Sequence, residues 1–293
     1  MANLIRFAIV LILVSLSTSH VASPKLLAQD VMRVATYNIR YANRGDGLDQ
    51  WANRSKAVGN YLRDMDICGL QEVTYPQLVQ LRDQLTQFAY YGVGRDDGEH
   101  GGEHAVIFFR KQFLKEIDKG TFWLSEEPER IGVAGWDAAL PRTCTWIQLE
   151  DQRTKEQFIV GNTHFDHRGA IAREKSGELI KNQLSKIAGD LPVVLMGDFN
   201  CIPDSSPYQA ILSGGQFSDS MDLSLEKPVG PRSTWNGFRG IAEGREIDHI
   251  FVRGDLQVHQ RSTDDPRTQS GRFASDHLPV QVLVSLGRSL KNK

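Results

Sequence analysis

Eight short, β-favouring runs recur between residues 31 and 284, and this recurrence constrains the fold more than any other feature of the chain. They cover residues 31–37, 66–71, 105–110, 143–149, 157–164, 192–197, 247–252 and 278–284. Several are continuous apolar stretches, which is the pattern of strands buried between two layers. No internal repeat, low-complexity tract or long linker interrupts them. The sequence therefore predicts one β-rich domain.

Helical periodicity is found in only a few places. It predicts helices over residues 49–65, 76–85 and 169–188. In the last of these, Ile180, Leu184 and Ile187 fall on one face and charged residues lie elsewhere. Strands outnumber helices, and the helices are spaced so that they can cover the outer faces of two sheets. We therefore expect an α/β fold over residues 29–287: a four-layer α/β/β/α sandwich in which two mainly antiparallel sheets pack face to face with helices outside.

The N-terminus has the pattern of an export signal. Arg6 precedes an unbroken apolar run at residues 7–14, and a polar stretch with small residues follows. The run is far shorter than the roughly 18 apolar residues that a membrane-spanning helix needs. We therefore expect residues 1–28 to be a signal peptide and flexible N-terminus, and the protein to be secreted or periplasmic; an uncleaved N-terminal anchor is the alternative.

Charge and cysteine content limit the classes of partner. The formal net charge is −2, so the overall field does not steer the chain toward nucleic acid, although a local cleft could still be basic. Cys68, Cys144 and Cys201 are too few, and odd in number, for a disulfide framework. No helper residue is spaced to make Cys201 a nucleophile. We infer no protein partner and expect a monomer.

Polar or ionisable residues stand at the ends of six apolar runs. They are Tyr37-Asn38, Gln71-Glu72, Thr163-His164, Gly197-Asp198-Phe199-Asn200, Asp248-His249 and Ser275-Asp276-His277. A carboxylate at the tip of a buried strand is costly unless it is paired, metal-bound or facing solvent. Taken singly, each could be a turn residue, a helix cap or a structural histidine. Six together indicate a common site at one edge of the sandwich.

This ordered set resembles the motifs of the endonuclease/exonuclease/phosphatase superfamily, which includes the deoxyribonuclease-I-like nucleases. The resemblance spans about residues 31–284, and residues 197–200 and 275–277 carry its most specific motifs. Residues 135–142 resemble exported bacterial members, and residues 200–207 resemble the deadenylase-like branch. The superfamily contains nucleases, inositol-phosphate phosphatases, sphingomyelinases and nucleotide phosphatases, and similarity of fold does not choose among them.

The resemblance implies a metal site and a phosphate site. Mg²⁺, with Mn²⁺ as an alternative, suits phosphoester hydrolysis because it needs few protein carboxylates. Glu72 is expected to be the principal metal ligand. Asn38 is expected on the metal or on a phosphate oxygen, and Asp276 on the metal directly or through water. Arg142 is expected to clamp the substrate phosphate, with a surface salt bridge as the alternative.

The resemblance also implies the catalytic groups. Asp198 is expected to orient or deprotonate the attacking water, and Asn200 to donate to a phosphate oxygen. His277 is expected to act as a general base or as a phosphate-binding cation, with Asp248 orienting its ring. His164 is expected to stabilise the pentacoordinate phosphorus.

Residues 96–104 leave a further alternative open. Glu103 and His104 follow a Gly-rich stretch and are interpreted as a mobile rim loop. A zinc site on His100 and His104 would need a helix, which the glycines at 101 and 102 disfavour.

The sequence thus indicates an exported, metal-dependent hydrolase of a phosphoester, which could be a small molecule, a lipid headgroup or a nucleic acid. The slightly negative net charge and the absence of Lys/Arg clusters favour a small substrate. The alternatives are a nuclease acting on DNA or RNA and a non-catalytic module that binds a phosphate ligand.

Overall fold

The computed structural model describes residues 31–287, so the predicted signal peptide lies outside the described residues. Its strands are β1 (Met32–Asn38), β2 (Ile67–Thr74), β3 (Phe88–Tyr91), β4 (Glu103–Arg110), β5 (Leu114–Trp123), β6 (Thr143–Asp151), β7 (Gln157–His164), β8 (Val193–Asp198), β9 (Ser218–Asp219), β10 (Asp248–Arg253), β11 (Leu256–Thr263) and β12 (Val280–Leu286). The helices are α1 (Trp51–Leu62), α2 (Tyr75–Gln84), α3 (Ala170–Ala188), α4 (Ser206–Leu212) and α5 (Ser220–Leu223), with a 3-10 helix at Arg44–Asp49.

The strands form two six-stranded sheets with similar layouts. The first has the order β11-β12-β1-β2-β4-β3, and the second has the order β5-β6-β7-β8-β10-β9. Each sheet contains one parallel pair, β1 with β2 and β7 with β8, while the other pairs are antiparallel. The expectation of two mainly antiparallel sheets is therefore confirmed.

Successive side chains of each strand point to opposite faces of its sheet, and this alternation produces the layers. On β1, Val34 points into the core between the sheets, whereas Ala35 packs outward with residues of α1 and α2. On the second sheet, Ile159 and Leu195 pack outward against α3. Helices thus cover the outer faces, and the predicted four-layer α/β/β/α sandwich is confirmed.

Local sequence signals explain where the helices begin and end. The first turn of α2 has a capping box, in which Thr74 and Gln77 bond each other's backbone, and Pro76 lies in that turn. Helix α3 ends at Gly189, whose φ of 54° lies in the region that glycine favours. Among residues 31–287, no helix is both long and apolar enough to span a bilayer.

All eight predicted runs form strands, but β3, β5, β9 and β11 were not predicted. These four are the outer strands of the two sheets. Edge strands are often short or charged, which weakens the apolar pattern by which strands are recognised. In β5, for example, most residues between Leu114 and Phe122 are exposed or half-buried.

Candidate active site

The two parallel strand pairs end at the same edge of the sandwich and bring four of the predicted residues together. Asn38 pairs in register with Gln71, beside Glu72, and His164 pairs with Asp198. Asp248 begins β10 opposite Asp198. The carboxyl ends of adjacent parallel strands necessarily meet, so this clustering follows from the topology.

Asn38 links the tips of the two sheets. Its side-chain Nδ2 donates to Glu72 Oε1 at 3.0 Å and to Asp198 Oδ2 at 2.9 Å. Its Oδ1 accepts from the backbone N–H of Arg40 at 3.0 Å. The buried amide therefore fixes the separation between a carboxylate of the first sheet and one of the second.

Asp198 is the centre of the cluster. Its Oδ2 lies 3.4 Å from His164 Nε2 and 3.8 Å from His277 Nε2. The other ring nitrogen of His277, Nδ1, bonds to Asp248 Oδ2 at 2.8 Å. Asp248 is fully buried, and its Oδ1 has no hydrogen-bond partner among the described residues.

Burial and charge together perturb the titration of these groups. Burial, reinforced by the neighbouring Asp248, raises the pKa of Asp198 to about 7. Burial lowers the pKa of His277, but the carboxylates of Asp248 and Asp198 outweigh it and hold that pKa well above its usual value. At His164 burial has the larger effect, and together with the charges of Arg142 and Arg95 it puts the pKa well below normal, although Asp198 lies 3.4 Å away. These shifts favour the charged form of His277 and the neutral form of His164.

Glu72 is presented by an irregular stretch of backbone. The register between β2 and β4 shifts between Leu70 and Val73, and Glu72 has a φ of 60°. Such bulges redirect side chains next to functional sites. The backbone N–H of Tyr41 donates to Glu72 Oε2 at 3.1 Å and holds the carboxylate in place.

The carboxylates of Glu72 and Asp276 both lie near one cationic side chain, that of Arg40. The guanidinium of Arg40 lies 3.9 Å from Glu72 Oε2 and 3.9 Å from Asp276 Oδ2. Glu72 and Asp276 supply carboxylate oxygens, which fit Mg²⁺ or Mn²⁺. Asn38 Nδ2 donates to Glu72, so the amide would have to turn over to add its oxygen to this set.

A second group could also hold a metal ion. Ligand atoms of Asp198, Asp248 and His277 all lie within 4.8 Å of one another. The hydrogen bond between Asp248 Oδ2 and His277 Nδ1 uses one atom of each, which leaves Asp248 Oδ1 and His277 Nε2 as the free ligand atoms of this pair. The oxygen set around Glu72 fits a hard divalent cation better.

Asn200 supports the site through its backbone and its side chain. It has a φ of 47°, and its N–H donates to Asp198 Oδ1 at 2.9 Å. Its Nδ2 donates to the carbonyl of Phe165 at 3.0 Å, which leaves its second N–H for a ligand.

Arg142 is buried, so the interpretation of it as a surface salt bridge is wrong. Its Nε lies 3.4 Å from Asp166 Oδ2, and its Nη2 lies 3.1 Å from His167 Nδ1. Its Nη1 has no hydrogen-bond partner among the described residues. A buried guanidinium with a free N–H beside His164 is suited to bind an anionic oxygen.

Three further charged residues adjoin the site and were not predicted. Arg95 pairs with Glu103 at 2.7 Å, and Glu103 Oε2 lies 3.8 Å from His164 Nδ1. Asp166 accepts backbone N–H groups of residues 168 and 169, which lower its pKa to about 2 despite burial. The run of polar residues after His164 was the available signal for Asp166; Arg95 is remote in sequence from every motif.

The interpretation of Glu103 and His104 as a mobile rim loop is also wrong. Both residues begin β4, and His104 is buried with its Nδ1 bonded to the carbonyl of Val73 at 2.9 Å. His100 instead stacks on Tyr75, with ring centroids 3.9 Å apart. The two histidines are therefore not on a helix, as the glycines indicated.

Comparison with known proteins gives consistent results. A model of the Endonuclease/Exonuclease/phosphatase family matches residues 35–277. An endonuclease/exonuclease/phosphatase from Bacteroides vulgatus is 36% identical with a TM-score of 0.84, and the match covers 88% of this chain and 99% of that one. A mannosyl-6-phosphatase from Bacteroides thetaiotaomicron is 36% identical with a TM-score of 0.82, over 87% of this chain and all of that one.

A curated sequence relative is a longer protein. Protein angel of Drosophila melanogaster is 34% identical over 224 residues, which is 73% of this chain. The chain spans 60% of the length of that protein.

Proposed function

Because this chain belongs to the endonuclease/exonuclease/phosphatase family and is a phosphoester hydrolase, we propose that its substrate is a small phosphomonoester and that it uses Mg²⁺, with Mn²⁺ as an alternative. The observation that carries the proposal is the concentration of cationic donors around Asp198. Arg142 Nη1 and Arg95 Nε are buried without hydrogen-bond partners among the described residues, and Asp248 and Asp198 raise the pKa of His277, which favours its charged form. A terminal phosphate of a monoester carries up to two negative charges near neutral pH, whereas a diester carries one.

The relatives and the overall charge support a small substrate. A protein of 36% identity, matched over its whole length by 87% of this chain, is a mannosyl-6-phosphatase. The formal net charge of −2 offers no long-range attraction to a polyanion. A nuclease would need a basic track beyond the site, which the composition does not favour.

The residues divide the work of an in-line displacement at phosphorus. Asp198, with a pKa of about 7, takes a proton from the attacking water as the water oxygen bonds to phosphorus. The bond from phosphorus to the alcohol oxygen breaks on the opposite side, and the alcohol leaves after taking a proton from solvent. Charged His277 donates its Nε2–H to a phosphate oxygen, and Asp248 fixes the ring with Nδ1 protonated. The free N–H groups of Arg142 and Asn200 contact the other oxygens. A divalent cation held by Glu72, Asn38 and Asp276 would neutralise phosphate charge and stabilise the leaving oxygen.

A substrate panel tests this proposal. Phosphate release is measured for mannose 6-phosphate, glucose 6-phosphate, inositol phosphates, nucleotides and sphingomyelin, and strand cleavage for DNA and RNA. Each reaction is run with Mg²⁺ and again with EDTA. We expect EDTA-sensitive release from sugar phosphates. Cleavage of DNA or RNA with no release from any monoester would favour the nuclease alternative, and no turnover at all would favour a binding module.

We further propose that the protein is exported and monomeric. Arg6 and the apolar run at residues 7–14 support export. Fractionation of expressing cells and sequencing of the mature N-terminus test export, since a protein that keeps residue 1 and stays in the membrane fraction has an uncleaved anchor. Light scattering tests the oligomeric state.

A further inference from the structure

A cavity of about 390 Å³ opens next to Asn200. Its walls include His167, Arg173, Asn200, Cys201 and Arg245. Among the described residues that line it, there is no Asp or Glu. The cavity is therefore bordered by positive and neutral groups only.

The two arginines carry charges that no carboxylate neutralises within residues 31–287. Arg173 Nη1 donates to the backbone carbonyl of Asp166 at 2.9 Å, and no ion pair with a carboxylate is formed. The exposed Arg245 has its guanidinium 5.3 Å from the centre of the Trp235 ring, again with no ion pair. Stacking on an aromatic face holds a guanidinium in place while leaving its N–H groups free.

His167 contributes a third donor, and its tautomer follows from its neighbour. Arginine has no acceptor, so the 3.1 Å contact between Arg142 Nη2 and His167 Nδ1 requires Nδ1 to accept. Burial and the charge of Arg142 lower the pKa of His167, which keeps the ring neutral. The single ring proton is then on Nε2, and His167 offers an N–H at that atom.

Three structural links join the cavity to the reacting groups. Asn200 lines the cavity and donates its backbone N–H to Asp198. His167 bonds to Arg142 in the site. Trp235, whose ring lies under the Arg245 guanidinium, forms an isolated backbone β-bridge with His277. A substrate whose phosphate lies against Asp198 would have its remaining atoms close to this cavity.

We propose that the cavity, defined by His167, Arg173 and Arg245, is a subsite for a second anionic group on the part of the substrate remote from the reacting phosphorus. A carboxylate or a second phosphate has the required chemistry, because both accept several hydrogen bonds from guanidinium and imidazole N–H groups. This inference rests on the proposed function, since it assumes that the first phosphate occupies the site around Asp198. It narrows the substrate class from sugar phosphates to those with two anionic groups.

Binding without turnover tests the subsite separately from catalysis. Calorimetric titrations in EDTA compare three probes: glucose 6-phosphate, 6-phosphogluconate and glucose 1,6-bisphosphate. The second adds a carboxylate and the third adds a phosphate, so the pair also shows which anion is preferred. We expect at least one of the two probes with a second anionic group to bind about 10-fold more tightly than glucose 6-phosphate, which corresponds to one additional charge-assisted contact of about 1.4 kcal/mol.

Variants locate the source of the preference. R245Q and R173Q should each reduce the preference several-fold, and R245K should retain most of it because the charge is kept. R130Q is the matched control: Arg130 is exposed, pairs with Glu127 and lies outside the cavity, so this variant should retain the full preference.

Equal binding of all three probes, no binding of any, or a preference that survives in both R245Q and R173Q would overturn the subsite. Phosphate release with Mg²⁺ is measured in parallel. If the probes with two anionic groups bind more tightly than glucose 6-phosphate but no probe is hydrolysed, the proposed phosphatase function fails while the subsite stands.

Discussion

Replacing Asp248 with Asn removes the charge that sets the titration of two other groups. The Asp248 carboxylate bonds His277 Nδ1 at 2.8 Å, and it raises the pKa of both His277 and Asp198. If Asp198 is the base, activity in the parent protein should rise with pH through an apparent pKa of about 7. It should fall again at a pH well above 6.5, where His277 loses its proton.

The size of the effect follows from the hydrogen bond that is weakened. A hydrogen bond to a charged group contributes about 1.5–3 kcal/mol, and one pKa unit corresponds to about 1.36 kcal/mol. In D248N the alkaline limb should therefore move down by about 1–2 pH units. The acid limb should move in the same direction, because Asp198 loses a repelling neighbour. The maximal rate should fall by about 10²-fold or more, because the ring loses the carboxylate that orients it and stabilises its charged form.

The assay is the rate of phosphate release from a working monoester between pH 5 and pH 10, at saturating substrate and Mg²⁺. The apparent pKa values belong to the coupled group rather than to single residues, so H277Q is measured beside D248N. In H277Q the acid limb should persist and move upward, because a charge that lowers the pKa of Asp198 is gone. Loss of the acid limb in H277Q would show that His277 is the base, and limbs that stay fixed in D248N would refute the electrostatic reasoning.

Three further substitutions test the metal site, the scaffold and the thiol. E72Q should weaken Mg²⁺ binding by at least about 10-fold in calorimetry, since a charged ligand is lost. It should lower the free energy of unfolding by under about 1 kcal/mol, because Glu72 is only half-buried. Unchanged Mg²⁺ affinity would reject the assignment of Glu72 as a metal ligand. R54M should lower the free energy of unfolding in urea by about 3–5 kcal/mol, because the buried Arg54 guanidinium donates to four backbone carbonyls, those of Ile39, Arg40, Asp49 and Ala274. A loss under about 1 kcal/mol would contradict this. C201S should retain activity, because burial raises the pKa of Cys201 to about 12 and no thiolate forms at neutral pH; a loss of turnover with intact folding would implicate the thiol.

The sequence predicted the central strands well because their signals are continuous. The strands that were recognised are buried within the sheets, and the polar residues at their tips lie together because adjacent parallel strands end side by side. The four edge strands were missed for the complementary reason. Their residues contact solvent as much as core, so β5 and β11 do not show a clear apolar period.

Parts of the site could not be predicted because they depend on contacts between distant segments. Arg95 lies in a loop with no motif, and only the pairing of β4 places its partner Glu103 beside His164. The burial of Arg142 likewise depends on Asp166, which comes 24 residues later. In contrast, His164, Asp198 and His277 were recognisable because each follows or precedes an apolar run directly.

A residue of the opposite sheet makes hydrogen bonds to the irregular backbone that presents Glu72. The register between β2 and β4 shifts after Leu70, and Asn162 of β7 reaches across the core to this point. Its Nδ2 donates to the carbonyls of Leu70 and Val106 at 2.9 and 3.0 Å, and its Oδ1 accepts from Gln71 at 2.6 Å. A Cβ on residue 69 would lie 2.8 Å from this oxygen, so a glycine is needed there for the approach.

Asn162 therefore couples the geometry of the metal-binding sheet to the sheet that carries Asp198. N162L keeps the branched shape and the number of side-chain heavy atoms but leaves two buried carbonyls and the Gln71 amide with one partner fewer each. At about 1–3 kcal/mol for each buried group left unsatisfied, partly offset by relaxation, we expect unfolding in urea to become about 2–4 kcal/mol easier. Because the affected bonds flank Glu72 and not Asp198, the Mg²⁺ concentration for half-maximal activity should rise several-fold, while the acid limb of the pH profile should stay near 7.

V160A is the matched control, since Val160 lies two residues away on the same face of β7 and packs in the apolar core. It should lose stability without a change in the Mg²⁺ requirement. An equal change in both variants would show that the Mg²⁺ effect reflects general destabilisation rather than the bond across the sheets.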